Sequence, residues 1–190
     1  MSLETNITNA FAVIHQTYEN VQKLMSFVRE ISEEHGYECK IDRFLRYKSD
    51  VHVDGYYIHD FIVLFQSTDD SILETGWRDG PIYSLEIELF NPTKRDKPML
   101  YASKYTYADI ASWTSGSASG NHYVFYTPGR NDHFDTVEEN DDVYKITPIN
   151  EEHADKYYLG LREVRYIGTP LVDITADNIP TILFGGFDKL

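Results

Sequence analysis

The sequence predicts an α+β domain in which one long amino-terminal helix packs across an antiparallel sheet of about six to eight strands. Over roughly the first thirty residues, apolar side chains recur at steps of four and three, which is the period of an amphipathic helix. From Tyr37 onward the period falls to two, which is typical of half-buried strands. A partly closed β-barrel with the helix against it is the alternative arrangement.

Length and composition favour one domain over residues 1–190, with the helix over about 5–35 and a β-rich body over about 40–190. The net charge of −14 and the absence of a basic stripe predict no direct binding to nucleic acid. No apolar run approaches the roughly 20 residues that span a bilayer, and no secretory signal is recognisable, so we expect no membrane association and a cytoplasmic protein. The single Cys39 excludes an intrachain disulfide.

The predicted helix carries one apolar stripe. Ser2 or Thr5 can cap its start, and Gly36 can supply the left-handed residue that ends it. The spacing also suits a coiled coil, but Leu24 and Ile31 widen the stripe and favour packing on a sheet. The alternative is that part of the stripe stays exposed and binds a protein partner or a second copy of the chain. The residues of the apolar stripe are Ile7, Phe11, Ile14, Tyr18, Val21, Met25 and Val28.

The clearest turn signal in the β-rich part is Asp54-Gly55, which suits a two-residue type I′ hairpin turn between strands at 43–53 and 56–66. In that hairpin Leu45 faces Leu64. The segment 157–168 fits either a helix or a strand, and its Tyr, Val and Ile content favours the strand. The other expected strands cover residues 82–90, 99–107, 122–127, 143–147, 171–175 and 181–184.

One face of the predicted hairpin is the best candidate for chemistry. It would bring together Asp50, His52 and His59, with Asp54 at the turn, and imidazoles and carboxylates can jointly hold a divalent metal. Cross-strand His–Asp pairs are also common on solvated sheet faces. We therefore expect no cofactor, with a divalent metal at Asp50, His52 and His59 as the alternative.

Two other regions are candidates for binding a protein. The chain has fifteen tyrosines, and Tyr101, Tyr105 and Tyr107 alternate along one strand, where they can line a groove. The segment 131–156 is strongly acidic, and the simplest interpretation is a solvated loop. The sharper interpretation is a docking surface for a basic partner or a mimic of a phosphate backbone. Its acids include Glu138, Glu139, Asp141 and Asp142.

These observations favour a non-catalytic, acidic interaction protein that binds another protein as an adaptor, inhibitor, immunity factor or nucleic-acid mimic. The alternative is a metal-dependent hydrolase that uses the hairpin face together with Glu86 or Glu88, which project from the same side of one strand. A homo-oligomer is compatible with either function.

Overall fold

The computed structural model has the predicted α+β architecture, with one long helix and an open antiparallel sheet of seven strands. It describes residues 2–41, 43–46, 48–91, 97–120, 122–125, 132–140 and 142–190. The sheet is open, so the β-barrel alternative is wrong. The helices are α1 (Leu3–Ile31), α2 (Ser117–Gly120), α3 (Glu151–Tyr157) and α4 (Ile179–Phe187). The strands are β1 (Tyr37–Cys39), β2 (Asp60–Ser67), β3 (Ile82–Glu88), β4 (Met99–Tyr107), β5 (Phe134–Glu138), β6 (Val143–Pro148) and β7 (Leu161–Pro170).

The strand order is β1-β2-β3-β4-β7-β6-β5, and every neighbouring pair is antiparallel. The first four strands form a meander. The chain then crosses to the far edge of the sheet and returns strand by strand, so that β7 lies beside β4. The crossing segment contributes Trp113, Ala118, Val124 and Phe125 to a core on one face of the sheet.

Both faces of the central strands are buried, and each face has its own core. The helix-side core places α1 and α4 against β2, β3 and β4, and Gly186 of α4 lies so close that an added Cβ would be 3.3 Å from the Cβ of Ala102. The loop-side core lies on the opposite face and contains Trp77 and Trp113, whose ring centroids are 5.3 Å apart. Burial on both faces explains why β2 has five consecutive apolar residues, 61–65, rather than an alternating pattern.

Both ends of α1 follow the sequence signals. The Ser2 side chain accepts a hydrogen bond from the Thr5 backbone N–H, which caps the first turn. A short 3₁₀ helix, Glu33–His35, continues the chain to Gly36, whose φ of 80° is left-handed and ends the helical segment.

Ion pairs and hydrogen bonds of charged side chains connect β1 with the segment between β2 and β3. The Glu38 carboxylate accepts hydrogen bonds from Lys40 Nζ at 2.8 Å and from Arg78 Nε at 2.7 Å. Arg78 also donates to the backbone oxygens of Thr68 and Asp70. Burial alone would raise the pKa of Glu38, but the two cationic donors lower it below its usual value.

The predicted hairpin at Asp54-Gly55 is wrong. Residues Val53–Gly55 form a 3₁₀ helix, and Leu45 makes an isolated bridge to Ile62 rather than to Leu64. The Ser49 side chain stabilises a turn before this 3₁₀ helix, since its Oγ accepts hydrogen bonds from the backbone N–H groups of residues 51 and 52. Gly55 is required there, because an added Cβ would lie 2.3 Å from the Ser49 backbone nitrogen. Strand β2 instead pairs its carboxyl-terminal half with β1.

Other strand predictions had mixed outcomes. The strand at 99–107 is confirmed with the same bounds, and those at 82–90, 143–147 and 157–168 are confirmed with shifted ends. The strand at 122–127 is wrong for His122–Phe125, which are 3₁₀-helical, while residues 126 and 127 lie outside the described part. The strands at 171–175 and 181–184 are wrong, since Leu171–Asp173 is a 3₁₀ helix and 181–184 belongs to α4.

The α4 segment was mistaken for a strand for a physical reason. It is apolar around most of its circumference, so its sequence shows no helical period and its short apolar run resembles a buried strand. Pro180 suits the first turn of a helix, where its missing N–H has no intrahelical partner to lose. Among the described residues, no helix is both long and apolar enough to cross a membrane.

Candidate functional site

The amino-terminal half of α1, residues 3–17, carries an exposed apolar stripe, and we call this half the arm. The stripe is continuous with the buried face of the same helix, since all its residues fall within an arc of about 100°. Its outer members are Leu3 (76% exposed), Ile7 (50%), Phe11 (68%) and Ile14 (40%), whereas Val21, Met25 and Val28 are at most 5% exposed. One apolar face thus changes from core to surface along a single helix.

The change occurs at Tyr18. Its ring packs edge-on against Phe61, with centroids 5.5 Å apart. Its hydroxyl donates to the Ile58 carbonyl oxygen at 2.6 Å and accepts from the Ile58 N–H at 3.0 Å. The segment that ends at Ile58 is itself apolar and exposed at Val51, Val53 and Tyr56. The base of the arm is therefore fixed to the sheet, and further apolar surface belongs to the segment attached there.

The structure does not bring the three predicted metal ligands together on one hairpin face, because that hairpin does not form. Asp50 and His52 are exposed, whereas His59 is buried with its Nδ1 3.2 Å from a carboxylate oxygen of Asp60. The His59 ring also lies near Tyr57, at 5.5 Å between centroids. Within the part of the chain that the structure describes, no group of three His, Cys, Asp or Glu side chains is placed to hold a metal ion.

Glu86 and Glu88 lie on the loop side of β3, where both are buried, and the antiparallel register sets Asp60 opposite Glu88. Glu88 accepts hydrogen bonds from Asn91 Nδ2 at 2.9 Å and from Tyr101 Oη at 3.3 Å. Burial, followed by the charges of Glu88 and Glu86, raises the pKa of Tyr101 well above its usual range. The alternation of these acids with apolar residues predicts that they face solvent. It gives no sign that they are buried or that Asp60 lies on the same face.

Tyr101, Tyr105 and Tyr107 project to the loop side of β4. The Tyr105 hydroxyl donates to the Phe125 carbonyl oxygen at 2.7 Å, and the Tyr107 ring lies 4.7 Å from Trp113. Burial raises the pKa of Tyr107 well above its usual value. The tyrosines thus form aromatic clusters in which Tyr105 is buried and Tyr101 and Tyr107 are partly buried. Binding of a protein at these residues stays a prediction.

The acidic segment is more ordered than a solvated loop, since it contains β5, β6 and α3. Glu138, Glu139 and Asp142 lie at the tip of the β5–β6 hairpin, while Asp141 lies outside the described residues. The Glu139 N–H donates to the Val143 carbonyl oxygen at 2.8 Å, which closes the turn. The Glu139 carboxylate also lies 3.6 Å from Arg165, so part of the tip's charge is compensated.

Comparisons with protein-family models, with curated proteins and with solved structures find no match. Inference about function therefore rests on the surfaces of the chain itself. The arm stripe stands out among them because its apolar side chains are exposed together on one continuous helix.

Proposed function

We propose that this protein is a non-catalytic interaction protein that binds another protein through the arm stripe. The supporting observation is that Leu3, Ile7, Phe11 and Ile14 are exposed on the same helical face that is buried from Val21 onward, about two turns after Ile14. Exposed apolar side chains are common singly, whereas a contiguous set on one element marks an interaction surface. A helix or groove with its own apolar stripe is the complement that this face fits.

The free energy available is of the size that a reversible complex requires. Complete burial of a large apolar side chain stabilises by roughly 1.5–3 kcal/mol, so four side chains that are 40–76% exposed offer roughly 3.5–7 kcal/mol. The partner's apolar surface contributes a similar amount, and association costs roughly 4–15 kcal/mol. The gain and the cost are of similar size, so binding requires a partner that covers the whole stripe.

The acidic hairpin tip is a second candidate surface. Glu138 and Asp142 are exposed there and would suit a basic protein surface. Such charges act mainly on the association rate and lose their effect at high salt. A partner attracted by the tip would be distinct from the protein bound by the arm stripe.

A photo-crosslinking residue in place of Phe11 tests the proposal in the native cell. Val13 is the matched control, because it is also exposed and apolar but lies about 160° around the helix from Phe11. We expect a discrete protein adduct from position 11, much less from position 13, and loss of the adduct when Ile7 is changed to Asp. Equal labelling at both positions, or no adduct at either, would contradict the proposal.

A further inference from the structure

We infer that the protein bound by the arm is a second copy of this chain, with the two arms packed antiparallel about a twofold axis. This inference rests on the proposed function, since it names the partner of the same stripe. Two features support it: the spacing of the stripe and the absence of Asp, Glu, Lys and Arg over residues 5–18.

The spacing between the residues of the stripe is the same whether it is counted from the amino-terminal or the carboxyl-terminal end. A twofold interface must be self-complementary, so each residue needs a counterpart at the mirrored position of the stripe. A twofold axis between residues 10 and 11 places Ile7 opposite Ile14 of the second copy, and Leu3 opposite Tyr18 of the second copy. At the centre the small Ala10 meets the large Phe11, which lets the helices approach without a clash. The mirrored set is Leu3, Ile7, Ala10, Phe11, Ile14 and Tyr18.

Charge favours a second copy over other partners. The chain carries −14 overall, yet residues 5–18 contain no Asp, Glu, Lys or Arg. Charge repulsion between two arms is therefore limited to Glu4 and Glu19 at the ends of this stretch, and the antiparallel arrangement keeps the acidic bodies at opposite ends of the contact. A basic partner would find no carboxylate on this stretch of the arm, and an anionic membrane would find no Lys or Arg there.

The area sets the expected strength. The arm is about 22 Å long at 1.5 Å per residue. Eight large side chains from two copies, exposed to the extent described above, remove on the order of 900 Å² from water, which lies below the roughly 1,200 Å² of standard stable interfaces. The stripe is already helical in the free chain, so binding adds little cost of forming the helix. A reversible dimer with a micromolar dissociation constant is therefore expected.

Sedimentation velocity on the purified full chain tests this from about 1 to about 100 μM, a range that brackets such dissociation constants. We expect the weight-average mass to rise from the 22.1 kDa of one chain towards twice that value. Phe11→Asp should remain monomeric throughout, while Val13→Asp, which adds the same charge on the opposite side of the helix, should dimerise like the unmodified chain. Near-ultraviolet circular dichroism verifies that both variants are folded.

Disulfide trapping distinguishes the antiparallel arrangement from a parallel one. In a Cys39→Ser background, a tagged Ile7→Cys chain is mixed with an untagged Ile14→Cys chain under mild oxidation. Antiparallel arms give mainly mixed dimers, whereas parallel arms give like-with-like dimers and would overturn the proposed geometry.

A chain that stays monomeric at every concentration would overturn the inference altogether. If position 11 still crosslinked a different protein in the cell, the proposed function would stand without it. If neither assay gave an adduct or a dimer, both would fall.

Discussion

Replacing Met25 with alanine removes a side chain that is 2% exposed and packed in the helix-side core. Truncating a buried methionine to alanine costs about 2–5 kcal/mol, because the lost transfer free energy adds to that of a cavity. Phe11→Ala removes a larger side chain from the same helical face, but Phe11 is 68% exposed. We expect it to change the unfolding free energy of the monomer by less than about 0.5 kcal/mol, as exposed substitutions usually do.

Urea denaturation followed by tryptophan fluorescence measures both variants. Trp77 and Trp113 are buried in the loop-side core, far from either substitution in sequence, so they report global unfolding. The protein is kept dilute so that dimerisation does not add to its stability. With a slope of about 1–3 kcal/mol per molar urea, Met25→Ala should lower the midpoint by about 1–2 M. An equal loss for Phe11→Ala in dilute solution would show that the arm packs on its own body, and the division of the stripe would be refuted.

Other expectations concern hydrogen bonds and titration. Tyr18→Phe removes both hydrogen bonds to Ile58 and should cost about 1–3 kcal/mol, with faster hydrogen exchange at the Ile58 amide as the direct measurement. Burial and the hydrogen bond to Asp188 raise the pKa of Tyr37 in the folded state. Its contribution to stability is therefore complete below the unfolded pKa of about 10 and declines as pH rises above it, and Tyr37→Phe should show a shallower loss in alkaline denaturation. Cationic donors lower the pKa of Glu38 more than burial raises it, so its contribution is present above the unfolded pKa of about 4.3 and lost as pH falls below it. Acid unfolding of Glu38→Gln should accordingly be less steep than that of the unmodified chain.

Local periodicity was sufficient to predict α1, β3 and β4. Each repeats its apolar positions over seven residues or more, so sequence spacing alone fixes the element and one of its buried faces. The division of the stripe in α1 was not predictable in the same way. The helix is about 43 Å long, whereas strands of seven to nine residues span about 23–31 Å, so part of it extends past its support. The position at which the apolar face of α1 changes from buried to exposed depends on how α1 lies on the sheet. Local sequence patterns do not determine that placement.

The candidate acids illustrate a second limit. Glu86 and Glu88 alternate with apolar neighbours, which in isolation indicates one wet face. Both acids are instead buried, and Glu88 lies among side chains of neighbouring strands, since Tyr101 of β4 donates to it and Asp60 of β2 lies opposite it. Burial of a strand's second face is thus a tertiary property. The Asp54-Gly55 turn failed similarly, since competing pairing of β2 with β1 decided the register.

The helix-side core joins α1 and α4, which lie at opposite ends of the described chain. The Tyr37 hydroxyl, just after α1, donates to the Asp188 carboxylate across a separation of 151 residues. Closing so long a loop costs entropy before the helices have made their stabilising contacts, which slows folding. Until α1 and α4 pack against the sheet, the helix-side face of β2 to β4 remains exposed to solvent. Association of this apolar face with other unfolded or partly folded chains then competes with the packing of the two helices. Refolding yield should therefore fall with protein concentration more steeply than stability alone would indicate.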